Sequence, residues 1–155
     1  MQVGAWRRWI GVVAAAVMLT LGAVSCSKGA DQAPSPSAPR SEPASLTIDG
    51  QTANDHGAKD VSGDRSVEVE LDNDDSGFYI SPTVIRASPG QSITVELKNE
   101  GSVNHTFTID SAGVNTELRP DASGEVDVTL PSSGNLVFYC RFHRSQGMIG
   151  EFQVS

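Results

Sequence analysis

Cysteine is nearly missing from this 155-residue chain, which has two, Cys26 and Cys140. Two thiols cannot build a disulfide framework. Cys26 lies at the end of what reads as a targeting segment, so the folded part holds a single thiol, and an unpaired cysteine in an exported protein calls for a reason. Basic residues are also few, 11 against 19 acidic ones, giving a net charge of −8. That balance weighs against nucleic-acid binding, which needs a basic surface. Aromatics make up 6% and hydrophobic residues 38% of the chain, enough for one small core and one domain. The apolar run from Ile10 to Val24 has 15 residues, short of the roughly 20 that span a bilayer. No segment carries a convincing helical period, and no internal repeat is visible.

What is present begins with an address. Arg7 and Arg8 are the only charges among the first 25 residues, and the short apolar run follows them. A charged start, a short apolar stretch and small residues at its end read as a bacterial secretory signal over residues 1–25. The ending A-V-S-C, Ala23 to Cys26, resembles a lipobox, although Ala23 stands where that pattern usually has leucine. Cys26 is thus the expected lipidation site, and the expected location is the outer face of the cytoplasmic membrane or the periplasm. The arginine pair leaves the choice between general secretory and twin-arginine export open. Cleavage before Cys26 leaves nine basic and nineteen acidic residues, a net charge of −10.

Residues 27–45 contain four of the eight prolines and no apolar periodicity. Such a stretch cannot bury enough surface to fold, and it is expected to be an extended spacer between membrane and domain. Residues 46–65 are turn-rich, with Leu46 and Ile48 able to start a short strand, and read only as an uncertain extension of the domain. From Ser66 the pattern becomes period two. Val67, Val69 and Leu71 alternate with Glu68 and Glu70, and Ile93, Val95 and Leu97 alternate with Thr94, Glu96 and Lys98. Phe107 and Ile109, then Val126, Val128 and Leu130, continue it; Leu136–Tyr139 and Ile149–Val154 complete the set. Alternation of this kind marks half-buried strands, and the turns at 73–77, 88–90, 99–101 and 131–134 separate them. The expectation for residues 66–155 is an all-β sandwich in a single domain.

The last two strands frame Y-C-R-F-H-R-S-Q-G-M, Tyr139 to Met148, which contains Cys140, His143 and Met148 spaced C-x2-H-x4-M. His105, in N-H-T-F, opens a strand 35 residues earlier. Singly, a cysteine is most often a small buried hydrophobe, a histidine a surface or core residue, and a methionine packing. Together they offer one thiolate, two imidazoles and a thioether. A His2Cys set with a weak axial methionine is the donor set of type 1 copper. His56, outside the strand pattern, reads as a solvated loop residue. The acidic cluster Asp72–Asp75 reads as a solvated turn, with docking of a basic partner as its alternative.

The span from about Ser66 to Ser155 resembles a cupredoxin of the plastocyanin/azurin type. The likeness rests on Phe78–Val95 with its Pro-Gly turn, on N-H-T-F, on Gly134–His143 running into the ligand loop, and on Gly147–Val154 closing the sheet. It implies a Greek-key sandwich of about eight strands and one copper held by His105, Cys140, His143 and Met148. In that family an asparagine often follows the first histidine and ties the two ligand segments together. Here Asn104 precedes His105 and Thr106 follows it, so these two are the candidates for that hydrogen-bonding support. The resemblance also makes the exposed edge of His143 the electron's way in and out. Phe142 is then the candidate apolar contact for a partner, with part-burial in the core as its alternative, and Arg141 and Arg144 are rim charges.

The leading expectation is a membrane-tethered, extracytoplasmic carrier of single electrons between redox proteins, with no enzymatic activity and no small-molecule substrate. Further copper centres would need more histidines than His56, and a binuclear centre would need a second loop cysteine. The alternative is a copper storage, delivery or tolerance protein with the same ligands. A third possibility is a metal-free interaction module that kept the fold, since fold does not fix function.

Overall fold

The computed structural model describes residues 46–155. The expected signal peptide over 1–25, the expected lipidation site Cys26 and the expected spacer over 27–45 lie outside the described residues. Twelve strands run through the described part: β1 (Leu46–Ile48), β2 (Gln51–Ala53), β3 (Ala58–Asp60), β4 (Ser66–Asp74), β5 (Gly77–Ser81), β6 (Val84–Ala87), β7 (Ser92–Asn99), β8 (His105–Ile109), β9 (Val114–Leu118), β10 (Ser123–Thr129), β11 (Gly134–Tyr139) and β12 (Ile149–Val154). No α-helix occurs among them, only two short 3-10 turns, Asp110–Ala112 and Arg144–Gln146.

Two sheets face each other. One has the order β10-β7-β4-β5, the other β3-β6-β12-β11-β8-β9. The period-two residues meet between them. Val67, Val69 and Leu71 from β4, Ile93, Val95 and Leu97 from β7, and Phe107 and Ile109 from β8 are all buried, and they pack with Phe138 and Phe152 into one core. Each such side chain removed from water stabilises the fold by about 1.5–3 kcal/mol. The glutamates and threonines between them face outward on β4 and β7, as alternation requires.

The sandwich class and the single domain stand as the alternation implies, but there are four more strands than eight. Strands β1, β2 and β3 have three residues each, too few to display a period. β9 reads V-N-T-E-L, with only its two end residues apolar, because it is an edge strand with a largely wetted face. The uncertain extension at 46–65 is built into the domain. β1 and β2 form a hairpin whose turn, Asp49-Gly50, takes φ of 49° and 73°, the left-handed pair that a two-residue hairpin needs. Ile48 and Ala53 of this hairpin pack on Ile149 of β12 in a second, smaller cluster that Leu46, Val137 and Tyr139 border. β8 also departs from simple alternation, since all five of its residues are buried. Its threonines are satisfied locally: Thr106 and Thr108 share a hydroxyl contact at 3.1 Å, and Thr108 donates to Asn115.

β12 lies so close to β11 that only glycine fits at position 150. A Cβ there would come within 2.2 Å of Phe138 Cε2 and 2.5 Å of the Thr83 carbonyl oxygen. Gly150→Ala is expected to destabilise the metal-free domain by about 3 kcal/mol through overpacking. Urea unfolding measures it; a loss near zero would mean that β12 can shift away from Phe138 freely.

Candidate metal centre

Cys140 is the residue after β11, fully buried, and the one free thiol among the described residues. Its N–H donates to the Met148 carbonyl at 3.0 Å, closing the loop that leads into β12. Inside the loop, the N–H groups of Gln146 and Met148 both donate to the His143 carbonyl, at 2.9 and 3.2 Å. These bonds turn the chain tightly, so that C-x2-H-x4-M returns on itself and keeps its donors together.

His105 comes from the neighbouring strand. β8 and β11 share a single ladder pair, Tyr139 with Thr108. Beyond it, side-chain atoms take over the role of ladder groups. The Thr106 N–H donates to Cys140 Sγ at 3.3 Å, and the Arg141 N–H donates to Thr106 Oγ1 at 2.8 Å. The strands stay joined while the sulfur and two imidazoles occupy the seam. Cys140 Sγ lies 3.5 Å from His143 Nδ1 and 3.8 Å from His105 Nδ1. All three ligand atoms fall within 4.8 Å of one another, the one such group among the described residues. Met148 is fully buried in the same core cluster as Cys140.

The electrostatics favour lone pairs over protons. Burial first, and then the nearby His143, lower the pKa of His105 to about 4 against a partial opposing effect of Asp72. Burial also lowers that of His143. Both imidazoles are therefore neutral at pH 7, as metal binding requires. His105 Nε2 is buried with no hydrogen-bond partner, which again disfavours an imidazolium there. Two neutral imidazoles, a thiol and a buried thioether fit one copper ion of the type 1 class better than a hard cation, because thiolate and thioether are soft donors.

The other expected residues fall into two groups. Thr106 joins the two ligand segments through its hydroxyl. Asn104 does not support the site: it is exposed, and its amide donates to Glu117 Oε1 at 2.9 Å. It lies just ahead of β8, where Glu117 of β9, the register partner of Thr106, is within reach. Phe142 is 51% exposed and meets His143 edge-on at 6.2 Å, so it is surface and not core. His56 is outside the donor group and stacks on Tyr79 at 3.4 Å. In the acidic cluster, Asp72 accepts from Tyr79 Oη and Asp74 accepts from Ser76, both inside the β4–β5 hairpin. Arg144 pairs with Asp49 and lies over the Tyr139 ring at 4.4 Å.

Two residues here escaped the sequence reading. Phe78 on β5 stacks on His143 with centroids 3.8 Å apart and planes at 5°; its alternation with buried Ile80 was the available signal. Asn54 reaches the ligand loop from beyond β2, and nothing in its turn-rich surroundings marks it.

Known proteins bear on this arrangement. Residues 15–150 match the Cupredoxin-like domain family. Over 102 residues the chain is 31% identical to the chloroplastic plastocyanin of Pisum sativum, which is 58% of this chain and 60% of that protein. The chain thus spans less than two thirds of the length of that relative. Among solved structures, an auracyanin from Roseiflexus castenholzii is 20% identical with a TM-score of 0.49, over 58% of this chain and 96% of its own. A copper-containing nitrite reductase from Thermus scotoductus is 18% identical with a TM-score of 0.50, over 59% of this chain and 27% of its own, a likeness of fold alone. The family match takes in all but the end of the sandwich and all four expected donors, and by it the chain belongs to the cupredoxin-like family.

Proposed function

We propose that this protein is a type 1 copper protein that carries single electrons between redox proteins outside the cytoplasm, tethered to the membrane through Cys26. The observation that carries the reading is the convergence of Cys140 Sγ with two neutral imidazoles within 4.8 Å. His105, Cys140 and His143 would hold the copper, with Met148 as the weak axial ligand. Bound copper supplies a one-electron Cu(I)/Cu(II) couple.

The chain's own residues set the conditions for that couple. The sandwich fixes the donors before any metal arrives, so little rearrangement accompanies a change of charge. The Thr106 N–H bonded to Sγ draws negative charge from the thiolate and favours the reduced state. His105 is sealed in the core, whereas His143 is part-exposed, which makes its edge the short path to a partner. Phe142 beside it offers an apolar contact. Arg144 is engaged with Asp49, so Arg141 is the rim charge left to face a partner.

The test uses residues 27–155, freed of signal and lipid cysteine, loaded with Cu(II) and stripped of excess. An intense visible band at one copper per chain is expected. A pale product, or no bound copper, would overturn the reading. In Cys140→Ser the band should vanish, because its charge transfer starts on the thiolate; persisting colour would put the sulfur ligand elsewhere. Met148→Leu should retain copper and raise the reduction potential, as measured by redox titration. An unchanged potential would remove Met148 from the axial position.

Protons compete with copper for the imidazoles, and the sign of that competition follows from burial. In the metal-free protein an unfolded histidine is protonated near pH 6.5, while folded His105 resists down to about 4. Stability is full above about pH 6.5 and is lost progressively as the pH falls towards about 4, since the unfolded chain then binds more protons. Urea midpoints of the metal-free protein should decline through that window, less steeply in His105→Gln. An equally steep decline in the variant would assign the acid sensitivity to other groups.

A further inference from the structure

Asn54 connects the β1–β2 hairpin to the ligand loop by two hydrogen bonds and to β5 by a third. Its main-chain N–H donates to the Gly147 carbonyl at 3.0 Å. Its Nδ2 donates to the carbonyls of Gln146 and Phe78, each at 2.9 Å. One carboxamide therefore holds two chain segments, the residue two before Met148 and the strand that presents Phe78 to His143. The contact is close: Gly147 adopts φ of 93°, and a Cβ there would lie 2.7 Å from the Asn54 amide. The Asn54 carbonyl in turn shares the buried Thr83 hydroxyl, 3.2 Å away, with the Ile80 carbonyl at 3.0 Å. On the far side of Met148, Ile149 packs under Ile48 and Ala53 of the same hairpin.

A thioether binds copper weakly and at long range. Its bond is too weak to choose its own position, so the protein backbone must supply it. We infer that Asn54 is a positioning residue: its carboxamide fixes where the Met148 thioether stands relative to Cys140 and the two histidines, and through that position it tunes the copper potential. The inference rests on the type 1 reading above. Releasing the clamp lets the thioether retreat, which favours the lower-coordinate Cu(I) state and raises the potential.

The test compares reduction potentials of Asn54→Ala, Met148→Leu and the double variant. Asn54→Ala is expected to shift the potential upward, by less than Met148→Leu does. In the Met148→Leu background its shift should disappear, because the group it positions is gone. The same shift in both backgrounds would overturn the inference, since Asn54 would then act on the site as a whole. An unshifted potential in Asn54→Ala would overturn it too. A metal-free measurement stands beside these. The Gly147 and Met148 N–H groups donate to Arg144 and His143 carbonyls, and their hydrogen exchange should accelerate about fivefold in Asn54→Ala, the worth of about one net hydrogen bond, with Val95 in β7 unchanged. Uniform acceleration would mean general destabilisation and would also overturn the inference. If the unaltered protein shows no thiolate band, the type 1 reading fails, and the exchange measurement still decides whether Asn54 clamps the loop. Should Asn54→Ala not fold, Asn54→Ser, smaller in its disturbance, carries the same comparisons.

Discussion

The single ladder pair between β8 and β11 is the constraint around which the rest of the domain is arranged. Two central strands of a sheet normally exchange hydrogen bonds along their length, and a buried backbone group without a partner costs stability. Here the ladder is given up just past Tyr139 and Thr108, where Cys140 and Arg141 would face Phe107 and Thr106. The Thr106 N–H turns to the sulfur, and the Arg141 N–H finds the Thr106 hydroxyl. Both backbone donors stay satisfied, and the strands part enough for a thiol and two imidazoles. Threonine at 106 suits this exchange because its hydroxyl lies one bond from Cβ and does not need a long, mobile side chain to reach the next strand.

Such a seam is unfavourable for the empty protein. It buries one imidazole and half-buries a second in neutral form, and leaves His105 Nε2 unpartnered. The cost falls on a domain with one continuous apolar core, to which three phenylalanines around the seam contribute. Phe107 and Phe138 stack at 5.2 Å, and Phe138 meets Phe152 edge-on at 5.3 Å. Those rings belong to the same three strands, β8, β11 and β12, that carry or frame the donors. An aromatic part of the core therefore lies on the strands that carry the donors.

The long strands were legible because their apolar residues alternate against one core, which the wetted β9 does not do. The hairpin at 46–53 was not, since three-residue strands carry no period and its signal, the Asp49-Gly50 turn, sits among other turn-forming residues. The four donors were legible for a related reason. Three lie within nine residues, on one loop, where spacing alone brings them together, and His105 opens a strand with a clear pattern. Phe78 and Asn54 touch the same loop from afar, Asn54 across 92 residues of sequence. Contacts of that range depend on how the sheets stack, which no local pattern encodes. Asn104 misled for the converse reason: proximity in sequence to His105 says nothing about direction, and its side chain leaves the site for Glu117.

The two histidines divide one task by their burial. His105 is wholly enclosed and fixed by the strand it opens. His143 lies in a loop, part-exposed, and a loop residue must be held by what packs on its ring. Phe78 and Phe142 both touch that ring, but in different ways. Phe78 lies parallel to it at 3.8 Å and is itself partly buried, so it restrains rotation of the imidazole and shields one face from water. Phe142 meets it edge-on at 6.2 Å and is half-exposed, so it restrains the ring far less. Its apolar surface is available to whatever approaches the His143 edge. Stacking on one side and exposure on the other give the ring a fixed orientation and an open edge at once, the combination that electron exchange at a surface requires.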